Sequence, residues 1–247
     1  MGSVSSIEWT QATWNPVTGC SKVSAGCKHC YAERLASRLR AMGNPRYTDG
    51  FALTLHRDLV DLPLRWHRPK MIFVNSMSDL FHEDIPLGFI QSVFGTMKAA
   101  RHHIFQILTK RADRLAELSS ELPWPSNVWM GVTVERADYT FRVDRLRQVP
   151  ARTRFLSCEP LLGPLDLDLS GIGWVIVGGE SGPGARPMDL GWARSIRDQC
   201  NNGRVPFFLK QLGGEMDKRG HERAVLDGIR WQEMPDTSRK DDAVLVG

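Results

Sequence analysis

Lysine is scarce in this sequence of 247 residues: only 8 of its 32 basic residues are lysine, and the rest are arginine. No stretch approaches the ~18 consecutive apolar residues of a membrane helix, and residues 1–9 carry neither a basic opening nor an apolar run. A soluble, cytoplasmic protein with no membrane partner is therefore expected. The chain has no internal repeat and no low-complexity tract, which excludes solenoids and fibres. Nor is it depleted in apolar residues as disordered segments are, since 42% are hydrophobic and 24% charged. The cysteine count of 5 is odd, which argues against a closed disulfide framework.

Total charge is mild at +4, so its meaning lies in the arginines. Their planar fork suits phosphates, carboxylates and base edges. They gather at Arg34, Arg38, Arg40 and Arg46, at Arg65-Trp66-His67-Arg68, and between Arg136 and Arg154. A nucleic-acid surface and a set of solvated helix faces both account for these groups, because acidic neighbours such as Asp138 and Asp144 accompany the last.

The length fits one large domain over residues 1–247, with a core at 8–212 and a C-terminal extension at 213–247. From residue 70 onward short apolar runs alternate with amphipathic stretches, as in βα units on a parallel sheet. Strands are predicted at 71–75, 103–109, 128–134, 153–157, 174–178 and 206–210. Helices are predicted at 32–42, 87–100, 111–118, 139–148 and 190–201, the last ended by Asn202-Gly203. Six such units predict an α/β fold: a partial (βα)6-type barrel with mostly parallel strands.

Each predicted strand ends on polar or small residues, among them Ser76, Ser78, Asp79, Lys110, Glu135, Glu159 and Gly178-Gly179-Glu180. In a parallel barrel these carboxyl ends share one rim, where ligands bind. Some of them would equally serve as caps or dipole partners of the following helix. The segment Gly178-Gly-Glu-Ser-Gly-Pro-Gly-Ala-Arg186 offers backbone amides to a ligand between the charges of Glu180 and Arg186. It lacks the Lys-Ser/Thr of a phosphate loop, which excludes that route to nucleotide hydrolysis.

Three cysteines fall within 11 residues: Cys20, Cys27 and Cys30. Thiolates this close in a reducing compartment share a metal that offsets their repulsion. A structural zinc site takes four protein ligands, whereas a three-thiolate iron–sulfur cluster leaves one iron open. His29, His82 or Cys158 would complete a zinc site, so both remain open on spacing alone. Cys158 ends a predicted strand, at the rim; the alternative is a small buried apolar residue. Cys200 lies inside a predicted helix and reads as structural.

The run Trp14-Asn-Pro…Gly19-Cys20-x6-Cys27-Lys-His-Cys30-Tyr31 resembles the signature of the radical S-adenosylmethionine (radical-SAM) superfamily, and within it the phage-associated three-cysteine branch. Met77-Ser-Asp79, Leu108-Thr-Lys110 and Arg145-Leu-Arg-Gln-Val-Pro150 are similar to strand-end motifs of the spore photoproduct lyases. The resemblance implies that Cys20, Cys27 and Cys30 ligate a [4Fe–4S] cluster whose fourth iron binds S-adenosylmethionine. It implies cleavage to a 5′-deoxyadenosyl radical, with orientation and exclusion of water left to the protein. His29 would lie beside the adenine, Lys110 would meet the cofactor carboxylate, and Ser76, Ser78 and Asp79 its amine or ribose. Glu135, Glu159, Gly178, Gly179 and Glu180 complete the expected cofactor set.

Two departures stand out. The superfamily spacing is C-x3-C-x2-C, so this loop is three residues wider. Where spore photoproduct lyases carry a hydrogen-donating cysteine, this chain has Asn75-Ser76-Met77, which argues against repair by that route; by the same resemblance Cys158, the one rim thiol outside the cluster, is the catalytic candidate for donating hydrogen from a different direction. The leading expectation is a radical-SAM or radical-SAM-like iron–sulfur lyase acting on nucleic acid, in modification or DNA repair. Its partners would be DNA or RNA and an electron donor such as flavodoxin or ferredoxin, with the chain a monomer. A zinc- or cluster-stabilised nucleic-acid-binding protein without radical chemistry is the alternative from another class, and a radical enzyme on a peptide or small molecule is a third.

Overall fold

The apolar runs after residue 70 form strands because they are rich in β-branched and aromatic residues and are bounded by polar or glycine-containing segments. The computed structural model describes residues 7–236. The strands are β1 (Ala12–Trp14), β2 (Val17–Thr18), β3 (Thr54–Leu55), β4 (Met71–Val74), β5 (Ile104–Thr109), β6 (Val128–Thr133), β7 (Thr153–Cys158), β8 (Trp174–Gly178) and β9 (Phe207–Gln211). Seven of them make one sheet in the order β1-β4-β5-β6-β7-β8-β9, every neighbouring pair parallel. The sheet curls into a half-barrel. β2 and β3 pair antiparallel beside it.

The six predicted strands are all present, and β1 is a seventh. It is three residues long, too short for an alternating pattern to register. Among the described residues five α-helices connect the sheet: α1 (Tyr31–Ala41), α2 (Leu87–Ala99), α3 (Ala112–Leu118), α4 (Phe141–Arg147) and α5 (Leu190–Gly203). α5 runs past Asn201 to Gly203, and the left-handed residue that ends it is Arg204 at φ 53°. Among the described residues no helix is long and apolar enough to cross a membrane.

Two apolar layers follow from the alternation of side chains along each strand. On one face Leu156, Cys158, Val175 and Val177 pack with helix residues such as Phe94, Leu146 and Ile196. On the other, Trp174 makes ring contacts with Trp9, Trp129, Phe155 and Phe208, and Phe73 joins through Trp9; among the described residues no helix contributes to this cluster. Trp9 is the plug of this concave interior, its ring edge-on to Phe73 at 4.8 Å and to Trp174 at 6.0 Å between centroids.

The extension lies along the open edge of β9. Leu212 N donates to Arg219 O (3.2 Å), Gly213 N to Lys218 O (2.8 Å) and Leu209 N to Trp231 O (2.9 Å). Lys218 also reaches across to the buried Glu8 at 2.9 Å, tying the extension to the segment that precedes β1. Residues 237–247 of the predicted extension lie outside the described residues.

Candidate functional site

Because all seven strands are parallel, their carboxyl ends form one rim, and the cysteine loop crosses it between β2 and α1. Gly19 enters the loop with φ +83°, and a Cβ there would stand 2.0 Å from the Ala52 carbonyl oxygen. Its N–H donates to Met77 O at 3.0 Å, and Ser78 Oγ donates to its carbonyl at 2.6 Å, so the peptide before Cys20 is held on both sides. The three loop cysteines are free thiols of intermediate exposure. Among the described residues no three His, Cys, Asp or Glu side chains converge on a single-ion position.

A cavity of about 390 Å³ opens beneath the loop. Cys27, His29, Cys30 and Tyr31 form its roof, and Lys110, Ser157, Glu159, Gly179, Glu180 and Lys210 its rim wall. Glu8, Trp9, Phe73 and Lys218 form its floor and flank. Seven predicted site residues are thus brought together: Cys27, His29, Cys30, Lys110, Glu159, Gly179 and Glu180. Lys110 Nζ hydrogen-bonds to Thr133 Oγ1 at 3.2 Å. Glu159 pairs with Lys210 Nζ at 3.0 Å, an ion-pair contact and not an aligned hydrogen bond, while Ser157 Oγ donates to its other oxygen at 3.1 Å. Glu180 accepts from Arg186 Nη2 at 2.6 Å and meets His29 Nδ1 at 3.0 Å.

The remaining predicted residues do other work. Cys158 faces the helix layer, is fully buried, and lies against Cys200. It is not among the residues lining the cavity, and burial pushes its thiol well above the ordinary range, which keeps it protonated. Asp79 is a clasp between strand ends: Phe81 N (3.0 Å), Thr109 Oγ1 (2.7 Å) and Lys110 N (3.0 Å) all donate to it. Both its oxygens are engaged in this clasp, and Asp79 does not line the cavity. Ser78 is bound to Gly19 as described, and Ser76 Oγ donates to Asn15 Oδ1 at 3.1 Å. Gly178 lies under Glu159, whose Oε1 would stand 2.6 Å from an added Cβ. Glu135 is fully buried and points at the cysteine loop from below, not into the cavity.

Cys20 stands apart from the cavity lining. Arg111 Nη1 donates to its sulfur at 3.7 Å, while Arg111 Nη2 donates to Ser21 Oγ at 2.7 Å and Nε to Glu83 at 2.5 Å. Burial, then the charge of Asp79, push the Cys20 thiol up to about 11, against the pull of Arg111. Sequence reasoning missed Glu8, Trp9 and Lys218, which lie far from the strand ends in sequence and carry no periodic signal. The arginines between 136 and 154 are engaged in ion pairs and carbonyl contacts: Arg142 with Glu135, Arg145 with Asp113, Arg147 with Asp144 and Asp168, and Arg136 with Asp138. Arg65–Arg68 precede β4 and so lie at the amino end of the sheet, opposite the cysteines.

The fold and site together define a parallel α/β half-barrel with a cysteine loop roofing a polar cavity at the carboxyl rim. The chain belongs to the family described as "Protein of unknown function (DUF5131)", whose profile matches residues 4–235. No curated protein sequence matches it. Among solved structures it is similar to spore photoproduct lyase complexed with dinucleoside spore photoproduct, at 12% identity and a TM-score of 0.46, over 81% of this chain and 63% of that one. A mutant of the same lyase with bound AdoMet and the dinucleoside photoproduct is similar at 11% identity, a TM-score of 0.46 and the same coverage. The chain thus spans less than two thirds of those lyase chains.

Proposed function

We propose that this protein is a radical-SAM-like [4Fe–4S] enzyme acting on nucleic acid, with Cys20, Cys27 and Cys30 as cluster ligands. The observation that carries this reading is the position of the cysteine loop, which roofs the polar cavity at the carboxyl ends of a parallel half-barrel. The donor set fits: three free thiols on one loop, one of them facing a guanidinium, match the three thiolate ligands of a four-iron cluster that keeps one iron open. When bound, the cluster would supply the electron that cleaves S-adenosylmethionine and starts radical chemistry.

The chain's own residues then have separate tasks. Lys110, which lines the cavity, would hold the methionine carboxylate of a bound cofactor, and His29, fixed by Glu180, would hold its adenine. Glu159 and Lys210 present opposite charges to whatever enters the interior, and the buried Trp9 ring lines it. The nucleic-acid part rests on the exposed Arg38 and Arg40 of α1, the helix that follows the cysteine loop. The proposal gives the cavity the ligand classes named for the lyase structures, treats residues 1–247 as one cytoplasmic, monomeric domain, and requires an electron donor of the flavodoxin or ferredoxin class.

Anaerobic purification tests the reading. A brown protein with iron and sulfide near four each per chain, forming 5′-deoxyadenosine when given reductant and S-adenosylmethionine, is the expected result; stoichiometric zinc in a colourless protein would overturn it. Nucleic-acid binding that weakens steeply with salt is expected alongside.

A further inference from the structure

The wide spacing between Cys20 and Cys27 has a structural counterpart. The last residues of that spacing, Ser24, Ala25 and Gly26, are held by four polar contacts to the barrel. Ser24 Oγ donates to Glu135 Oε1, and Gly26 N donates to the same oxygen at 3.2 Å. Ala25 N donates to the Tyr139 hydroxyl at 3.1 Å, and Ala25 O accepts from Arg186 Nη2 at 3.0 Å. The receiving groups are themselves fixed. Arg142 donates to Glu135 Oε2 at 2.9 Å and to Thr133 O at 2.8 Å, and its guanidinium lies 4.3 Å from the centre of the Tyr139 ring. Arg186 is fixed by Glu180, which also holds His29 between the two cysteines. A Cβ on Gly26 would stand 2.9 Å from Glu135 Oε1, so the turn approaches as closely as a glycine allows.

We propose that Glu135 is a positioning residue: with Tyr139 and Arg186 it docks the 24–26 turn and so presets Cys27 and Cys30 before any metal arrives. The turn is one short 3-10 segment, Ala25–Cys27, and Cys27 N closes it on Ser24 O at 3.0 Å. An undocked turn would leave its N–H groups to water and let Cys27 wander, and a metal would then have to order the loop as it bound. A docked one has this ordering done by the fold, which is what a site held to sub-ångström geometry needs. The purpose of the docking rests on the cluster reading above; the docking does not.

The test is hydrogen exchange on the full chain after chelation, without metal. Amides of Ala25 and Gly26 are expected to exchange slowly in the wild type and about five- to tenfold faster in Tyr139→Phe and Ser24→Ala, with β6 amides unchanged. Ser24→Thr, which keeps the hydroxyl, is expected to restore protection at Gly26. After reconstitution, Glu135→Gln is expected to give a heterogeneous cluster signal in electron paramagnetic resonance at unchanged iron content. Fast exchange at Ala25 and Gly26 in the wild type, a chain that unfolds on chelation, or exchange indifferent to both single variants would overturn the proposal. A colourless protein with the predicted exchange pattern would sink the cluster reading alone.

Discussion

His29 Nδ1 and the Glu180 carboxylate meet at 3.0 Å beneath the cysteine loop, and Arg186 completes the group. Burial pushes the Glu180 carboxyl up, but its hydrogen bonds from Arg186 and His29 outweigh burial and hold it down at about 2. The unfolded chain therefore binds this proton first as pH falls. Stability from the group is complete above about pH 4.5 and is lost as pH falls through about 2. Acid unfolding of the wild type should be steeper in that window than that of Glu180→Gln, measured by circular dichroism; equal slopes would contradict the pairing.

Cys158→Ala should leave metal content and any turnover unchanged while lowering stability by about 1–3 kcal/mol, the cost of a void in a close-packed layer. Denaturant unfolding and iron analysis on one preparation separate the two effects. Loss of iron in this variant would return Cys158 to the site.

Gly19→Ala should destabilise by about 2 kcal/mol or more, because the left-handed backbone and the Ala52 carbonyl at 2.0 Å leave a methyl no room. The strain falls on the peptide leading into Cys20, so weaker iron retention should accompany the lower melting temperature. A variant with native stability would mean that the 51–53 segment yields freely.

Cys20 should alkylate slowly in the metal-free protein at pH 8, since its thiol is pushed up to about 11. Arg111 is the group pulling that value down, so Arg111→Gln should slow the reaction further. Mass spectrometry of iodoacetamide-treated protein reads this directly, and faster labelling in the variant would show that Arg111 mainly shields the sulfur.

The barrel was legible because β4 to β8 combine β-branched and aromatic residues, and β9 opens on a Phe-Phe-Leu run, each followed by a polar or glycine end, a signal that survives burial on both faces. The direction of Cys158 was not, because the run Thr-Arg-Phe-Leu-Ser-Cys places one large apolar residue and at least one polar residue on each face of the sheet, so alternation does not say which face is the interior. The loop cysteines were legible by spacing. Their anchors were not: a glutamate at a strand end reads the same whether it faces a ligand or, like Glu135, an arginine on the next helix. Glu8 and Lys218 were hidden for a third reason, that they meet only when the two ends of the sheet are brought round.

The tryptophan plug has an optical consequence. Of the 8 tryptophans, Trp9 and Trp129 each lie within 6.0–6.1 Å of Trp174, close enough for their indole transitions to couple. This trio is a built-in chromophore at the base of the barrel, whose near-ultraviolet dichroism would register any molecule that displaces Trp9, without a label and without knowing what the molecule is.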